Sequence, residues 1–393
     1  MNVSFITTKS PTLTSGSEVR NYYLLKALID SKKIDHVEVL FLKINRVNSK
    51  TKLSSRKLHF QEVQLPSRNS SESLANFVQL KIPYIEHLKR NPFSSQIEEV
   101  LEKSDVVVLS ELDAYFAVSE ILNNRKFKAK IILDCHNVDY LRFKSEIELS
   151  PLPKKILGQL LLPTVKNEEI SAIKAVDQIL CCSEHDQKYF SQFVPSNKIT
   201  VIPNGVVIES SANKAVKPSH TILFMGLLSY IPNSDAMKFY FESIHEQVKY
   251  NVPDLKVTII GKNPPDWLLE KAKADSSIKV LGFVDSLKEY FEEAAVCICP
   301  LRFGSGTRLK ILEYMAASKP IVSTSIGAEG IEVKNNKNIF ISDSPVDFSE
   351  KIVELLENSD LAKKIGENAR ELVSTRYNWE LITENFIETV VKA

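Results

Sequence analysis

The strongest constraint on this chain is an alternation that begins twice. Short, continuously apolar, β-branched runs read as strands at "NVSFIT", "VEVLFL", "VVVLS", "KIILDC", "QILCC", "TVIPN", "TILFMG", "KVTIIG", "IKVLG", "AVCICP" and "PIVST". Between them lie stretches such as "VRNYYLLKALID" and "SDAMKFYFESIHEQV", where apolar residues recur every three or four positions and predict helices. Strands apolar on both faces and separated by helices belong in parallel sheets covered on both sides, which predicts a doubly wound α/β class. The plan runs strand, polar loop, helix at "NVSFIT"–"TKSPTLTSGSE", and again at "TILFMG"–"LLSYIPNSD". Between the two halves, "VVIESSANKAVKPSH" is polar, aperiodic and ends near a proline, a linker pattern. The expected organisation is a Rossmann-like domain over 1–205, a linker over 206–220 and a second Rossmann-like domain over 221–377. The tail "YNWELITENFIETVVKA" predicts one more amphipathic helix.

A length of 393 residues suits two cores better than one. The formal net charge of +1 gives no global field to attract nucleic acid, so charge must act locally. Cys135, Cys181, Cys182, Cys297 and Cys299 are odd in number, and most lie in apolar runs; they read as small buried hydrophobes in a reducing compartment. No His flanks Cys297 or Cys299, no Asp-x-Asp or His-Glu-x-x-His occurs, and no metal is expected. The N-terminus lacks a basic leader and no apolar run approaches the ~20 residues of a membrane span, so a cytoplasmic protein is expected.

One turn concentrates the chemistry. "PLRFGSGTRLKILE", 300–313, joins a strand to a helix, and ligands of open parallel sheets bind beyond such strand ends. Gly304 and Gly306 permit close backbone approach, Ser305 and Thr307 offer hydroxyls or helix caps, and the helix N-terminus favours an anion. Arg308 and Lys310 near that terminus oppose the helix dipole, and Arg302 adds a third cation; a bound phosphate accounts for all three. Glu313 lies three positions after Lys310, so both can point at the ligand. The plainer reading is a glycine turn beside a solvated Lys310–Glu313 pair. Neither "GKNPPD" nor "SGTRLK" has the Gly-Lys-Ser/Thr ending of a P-loop.

This stretch resembles the donor-site signature of glycosyltransferase family 4, the retaining enzymes of the GT-B fold. "VIPNGV", "GLLSYIPNSDAM", "IIGKNPP", "LGFVDSLKEYFEEAAV" and "SKPIVSTSIGAEG" fit the same family in order, and "TSGSEVRNYYLLKAL", "LDCHNVDY" and "CSEHD" extend the likeness thinly into the first half. The resemblance implies two Rossmann-like domains facing across a cleft, with 378–393 packing back on the first. It implies a metal-independent hexose transfer from a nucleotide-diphosphate sugar, the co-substrate, to a glycan or lipid-linked hydroxyl, without a cofactor. Cell-envelope or surface polysaccharide synthesis is the family-level expectation. Glu313 would hold the ribose. Gly226, Arg302, the 304–307 turn, Arg308 and Lys310 would hold the diphosphate, with Gly16 approaching it from the first domain. His136, ending "KIILDC", would stand near the reacting carbon. Glu111 and Asp113, in "SELDAY", are candidates for acceptor hydroxyls, against the plainer reading of an acidic loop.

Two departures stand out. Many members carry two glutamates eight positions apart; the second corresponds to Glu313 and the first falls on Ser305. A branch with G-x-G-T-R-x-K shares this departure. Many members also place an Arg and a Lys in the loop that here reads "GLLSYIPN", which holds no cation. These departures keep a non-catalytic scaffold in view. A sugar-nucleotide epimerase is the other alternative, weakened because only His136 is well placed for proton transfer. Finally, 39–61 holds six Lys or Arg and no acid, and 152–163 is basic and apolar. With the family's lipid-linked acceptors, both suggest peripheral contact with an anionic inner membrane face.

Overall fold

The computed structural model describes residues 1–14, 16–43, 51–65, 81–89, 94–124, 127–148, 150–208 and 219–393. The chain divides into two compact units. Met1–Asn204 and Glu380–Ala393 form one, and Gly205–Trp379 the other.

The first unit is built on a seven-stranded sheet, ordered β3-β2-β1-β4-β5-β6-β7. Its strands are β1 (Asn2–Thr7), β2 (His36–Lys43), β3 (Leu58–Gln64), β4 (Val106–Ser110), β5 (Lys130–Cys135), β6 (Gln178–Cys181) and β7 (Ile199–Val201), all paired in parallel. The second unit carries β8 (Thr221–Met225), β9 (Lys256–Ile260), β10 (Ile278–Leu281), β11 (Val296–Cys299), β12 (Ile321–Ser323) and β13 (Phe340–Ile341) in the order β10-β9-β8-β11-β12-β13, again parallel. β4, β8 and β11 are buried along their whole length, as the continuous apolar runs require. Strand order therefore reverses at β1/β4 in one unit and at β8/β11 in the other, the topological switch points where this class binds ligands. This is the two-Rossmann architecture of the GT-B fold.

The helix Gly16–Asp30 follows β1 and buries Arg20, Leu24 and Leu28 along one stripe. In the second unit, Tyr314 of the helix Leu309–Ala316 is fully buried, and its hydroxyl accepts the Met225 N–H at 2.9 Å. That bond fixes the helix against the end of β8. The last helix, Trp379–Lys392, turns Trp379, Ile382, Phe386 and Val390 inward at helical spacing.

Three details differ from the expectation. β3 and β13 join the sheets, and β7 stops at Val201, short of Pro203, which has no N–H to give a ladder. All five cysteines are buried free thiols. Among the described residues, no helix is long and apolar enough to cross a membrane.

Candidate functional sites

In the second unit the site grows from the ends of β8 and β11. Gly226 follows β8, and a Cβ there would lie 2.8 Å from both Lys310 Nζ and Asn233 Nδ2. The missing side chain is the space the lysine occupies. Lys310 Nζ donates to Asn233 Oδ1 at 2.7 Å and sits 4.1 Å from the centroid of the Phe224 ring on β8. Asn233 Nδ2 donates in turn to Leu227 O at 2.9 Å, which fixes the amide so that its oxygen faces the lysine. A neutral amide and an aromatic face hold the ammonium in place, but neither cancels its charge. Burial lowers the Lys310 pKa to about 8, helped by the neighbouring Arg308. Glu313, one turn along, has no hydrogen-bond or ion-pair partner among the described residues, and burial raises its carboxyl to about 7 against the opposing pull of Lys310. The solvated Lys310–Glu313 pair is therefore not what forms: Lys310 bonds Asn233.

The glycine turn shows the same deficit. Gly304 and Gly306 adopt φ of +121° and +79°, left-handed conformations that glycine takes without strain. The Ser305 and Thr307 hydroxyls and Arg308 Nη2 are buried without partners, while Arg308 Nη1 donates to the carbonyls of Ser305 and Gly306. Each such orphan costs about 1–3 kcal/mol. No side chain caps the helix Leu309–Ala316, and its first turn holds no acid. Ser305 and Thr307 are thus not caps. Donor hydroxyls, a guanidinium edge, an ammonium and a helix N-terminus converge without an anion. Arg302 stands apart from this group. It is exposed, bonds Asp235 at 2.9 Å through Nε and lies 4.9 Å from the Phe239 ring centroid.

In the first unit, Gly16 opens the helix after β1, and Glu111 follows β4 directly. Glu111 and Asp113 form the first turn of the helix Glu111–Asn124, which replaces the acidic-loop reading. Asp113 accepts the Tyr84 hydroxyl at 2.7 Å, and burial raises it to about 6. His136 is buried just past β5. Its Nε2 faces Asp134 Oδ2 at 3.1 Å and Ser110 Oγ at 3.3 Å, and its Nδ1 faces Glu111 Oε1 at 3.0 Å, off the line of a straight hydrogen bond. Asp134 also takes Arg20 Nε at 2.9 Å and Nη2 at 2.6 Å.

The arrangement uses two residues that motif reading passed over. Arg20 lay in plain view as a cation on the Leu24–Leu28 stripe. Asn233 gave no signal beyond the cation-free loop around it. Among the described residues, no group of three or more His, Cys, Asp or Glu comes together to hold a metal.

Comparison with known proteins decides the family. The model for "Glycosyltransferase Family 4" matches residues 14–210, half of the chain, and that for "Glycosyl transferases group 1" matches 219–358. The chain belongs to glycosyltransferase family 4. A Klebsiella pneumoniae protein named for its place in a cps region is 24% identical, over 79% of each chain. The trehalose synthase of Thermococcus litoralis is 23% identical, over 52% of this chain and 53% of its own. Among solved structures, Anabaena HepE in complex with UDP superposes with a TM-score of 0.71 at 14% identity, over 100% of both chains. The protein is a glycosyltransferase of GT-B fold.

The lipid-facing expectation divides. Within 39–61, Lys43 pairs with Glu62 at 2.5 Å, and Lys57 donates to Ser31 O and Ile34 O, each at 2.8 Å, so two of the six cations serve the fold. Arg46 and Lys50 lie outside the described residues. The 152–163 stretch opens the helix Leu152–Ala175, which exposes Leu152, Ile156, Leu157 and Leu160 beside Lys154. An ordinary core helix would bury them.

Proposed function

We propose that this glycosyltransferase moves a hexose from a nucleotide-diphosphate sugar to a hydroxyl of a glycan or lipid-linked acceptor, with retention and without a metal. The observation that carries the reading is the unmet demand for an anion around the 304–310 turn. The leaving diphosphate brings about two negative charges, and Lys310, Arg308 Nη2 and the two hydroxyls supply what stabilises it in a partly desolvated site. Gly226 and Asn233 set the lysine, and Glu313, without a partner of its own, is free to accept ribose hydroxyls. Arg302, spent on Asp235, takes at most an outer part in this set.

The missing first glutamate, at Ser305, and the cation-free "GLLSYIPN" loop raised the scaffold alternative. A scaffold has no need to keep a buried lysine short of counter-charge, so the observed imbalance favours ligand binding. The epimerase reading gains Glu111 and Asp134 beside His136, yet these groups are tied to one another and leave no free basic nitrogen. The place of work proposed is the cytoplasmic face of the envelope, in surface polysaccharide synthesis. The exposed Leu152–Leu160 face with its lysines supports a peripheral contact with anionic lipid there.

A thermal-shift panel of UDP-, GDP- and ADP-sugars on the wild type and on Glu313→Ala tests the reading. One donor should raise the wild-type Tm and leave the variant unmoved. No shift with any of them rejects a donor site.

A further inference from the structure

At the switch point of the first unit, four buried charges stand in a row of alternating sign: Arg20, Asp134, His136, Glu111. Everything that faces the two ring nitrogens of His136 accepts hydrogen bonds. Asp134 and Glu111 are carboxylates. Ser110 spends its own hydroxyl proton on Asn21 Oδ1 at 2.6 Å, which leaves its lone pairs toward Nε2. Only an imidazolium, with a proton on each nitrogen, satisfies these neighbours together. Burial by itself lowers the pKa of His136, but the charges of Glu111 and then Asp134 outweigh it and raise it to about 9. Burial likewise raises Glu111, and the opposing charge of His136, with smaller help from Lys9 and a hydrogen bond from Ser17, brings it down to about 2. Asp139 interacts with both, and Asp113, Tyr84 and Cys182 interact with Glu111.

Two further facts give the row a direction. Side-chain exposure is 1% at Arg20, 0% at Asp134, 5% at His136 and 15% at Glu111, so only the last member reaches the surface. Glu111 also holds φ at +68°, a left-handed backbone that a residue with a Cβ adopts only at a cost in strain. The strain falls on the turn between β4 and its helix, and it is what places this carboxylate against His136. At the other end, Arg20 Nη1 donates to Ile202 O at 2.8 Å and Pro203 O at 3.2 Å, which anchors the row in the backbone of its own unit.

We propose that these four residues act as one relay whose working end is the Glu111 carboxylate, offered to a hydroxyl of the acceptor, and that His136 is a positioning residue acting through Glu111. An imidazolium without a lone pair does not take the acceptor's proton, and a carboxylate this acidic orients a hydroxyl without deprotonating it. The proton then leaves with the departing phosphate oxygen as the new glycosidic bond forms. The acceptor half of this proposal rests on the glycosyltransferase reading; the relay does not.

The first test is ¹⁵N NMR of the histidine rings in the full chain, with His136 assigned by loss of its signals in His136→Asn. Both nitrogens should be protonated at pH 7.5, with a midpoint near 9 that falls by at least about one pH unit in Glu111→Gln. A neutral His136 in the wild type, or a midpoint unmoved by the substitution, overturns the relay. Should Glu111→Gln not fold, the wild-type titration decides that half by itself. The second test is transfer from the donor found by thermal shift to methyl hexosides. Losing one charged hydrogen bond predicts an acceptor KM raised about 10–100-fold in Glu111→Gln, more than kcat falls, with partial recovery in Glu111→Asp. A fall in kcat at constant acceptor KM overturns the acceptor role. A wild type that releases nucleotide from no donor rejects the transferase reading and the acceptor role with it, while the ring titration still judges the relay.

Discussion

The two units share a strand order and a switch point, yet they treat buried charge in opposite ways. In the row at the first unit's switch point, each charge meets an opposite one within about 3 Å: Arg20 with Asp134, Asp134 with His136, His136 with Glu111. All are driven toward full ionisation. In the second, Lys310 bonds a neutral amide, Glu313 has no hydrogen-bond or ion-pair partner among the described residues, and both are pushed toward their neutral forms. Burial penalises a lone charge in either place, so the difference lies in who supplies the counter-charge. The first unit supplies its own, and on the reading proposed above a bound diphosphate supplies it in the second. Substitutions in the two places should therefore fail differently, one in folding and the other in binding.

Arg20→Met should give the largest effect. It leaves Asp134 buried with only His136 to balance it, and it frees the carbonyls of Ile202 and Pro203. Breaking a buried pair from one side costs about 3–5 kcal/mol, against a stability of about 5–15 kcal/mol for a typical domain. Urea unfolding should show the loss. A midpoint within error of the wild type would mean the row is not the paired network described here, and the contrast between the units would collapse.

Lys310→Ala should do the reverse. Among the described residues its one side-chain hydrogen-bond partner is Asn233, so folding loses about 1 kcal/mol, offset by relief of a desolvated charge. Transfer should fall about 10²–10³-fold, the usual cost of removing one preorganised group that stabilises leaving-group charge. Steady-state kinetics beside a thermal melt measures both quantities. An unchanged rate removes Lys310 from the site.

The reasons some of this was legible in the sequence, and some not, are physical. β1, β4, β8 and β11 are buried along nearly their whole length, so their apolar runs announced them. β3 was hidden because it is an edge strand: "LHFQEVQ" buries only Val63 fully, and its charges hid the alternation. The Gly-rich turn was legible because two positive-φ glycines and two cations at a helix start break local rules together. The relay was not, because its members stand on three segments that meet through the order β1-β4-β5. The pairing of Arg302 was hidden for a related reason. Its proximity in sequence to Arg308 said nothing about Asp235, 67 residues away, which claims it.

The smallest expected effect is also the most direct comparison, because it leaves the protein unmodified. Between about pH 4.5 and 6.5 the row of four should be silent. The stability lent by His136 is complete below its ordinary 6.5 and is lost progressively as pH rises from there through about 9, since its folded value is raised. That lent by Glu111 is complete above its ordinary 4.5 and is lost only as pH falls through about 2, since its folded value is depressed. The second unit titrates above this window, Glu313 at about 7 and Lys310 at about 8. A diphosphate prefers charged Lys310, so affinity should weaken as pH rises past about 8. Ribose hydroxyls prefer ionised Glu313, so affinity should weaken as pH falls past about 7. Each flank has a limiting slope of about tenfold per pH unit. Calorimetric titration with UDP-glucose, or with whichever nucleotide sugar the shift panel selects, should give the tightest Kd between those two values. An intact diphosphate ester has no proton to lose there, so the flanks belong to the protein. Glu313→Gln should flatten the acid flank and keep the alkaline one. A Kd that stays level across the whole range would place both Lys310 and Glu313 away from the ligand, and the imbalance that sets the second unit apart from the first would then need another cause.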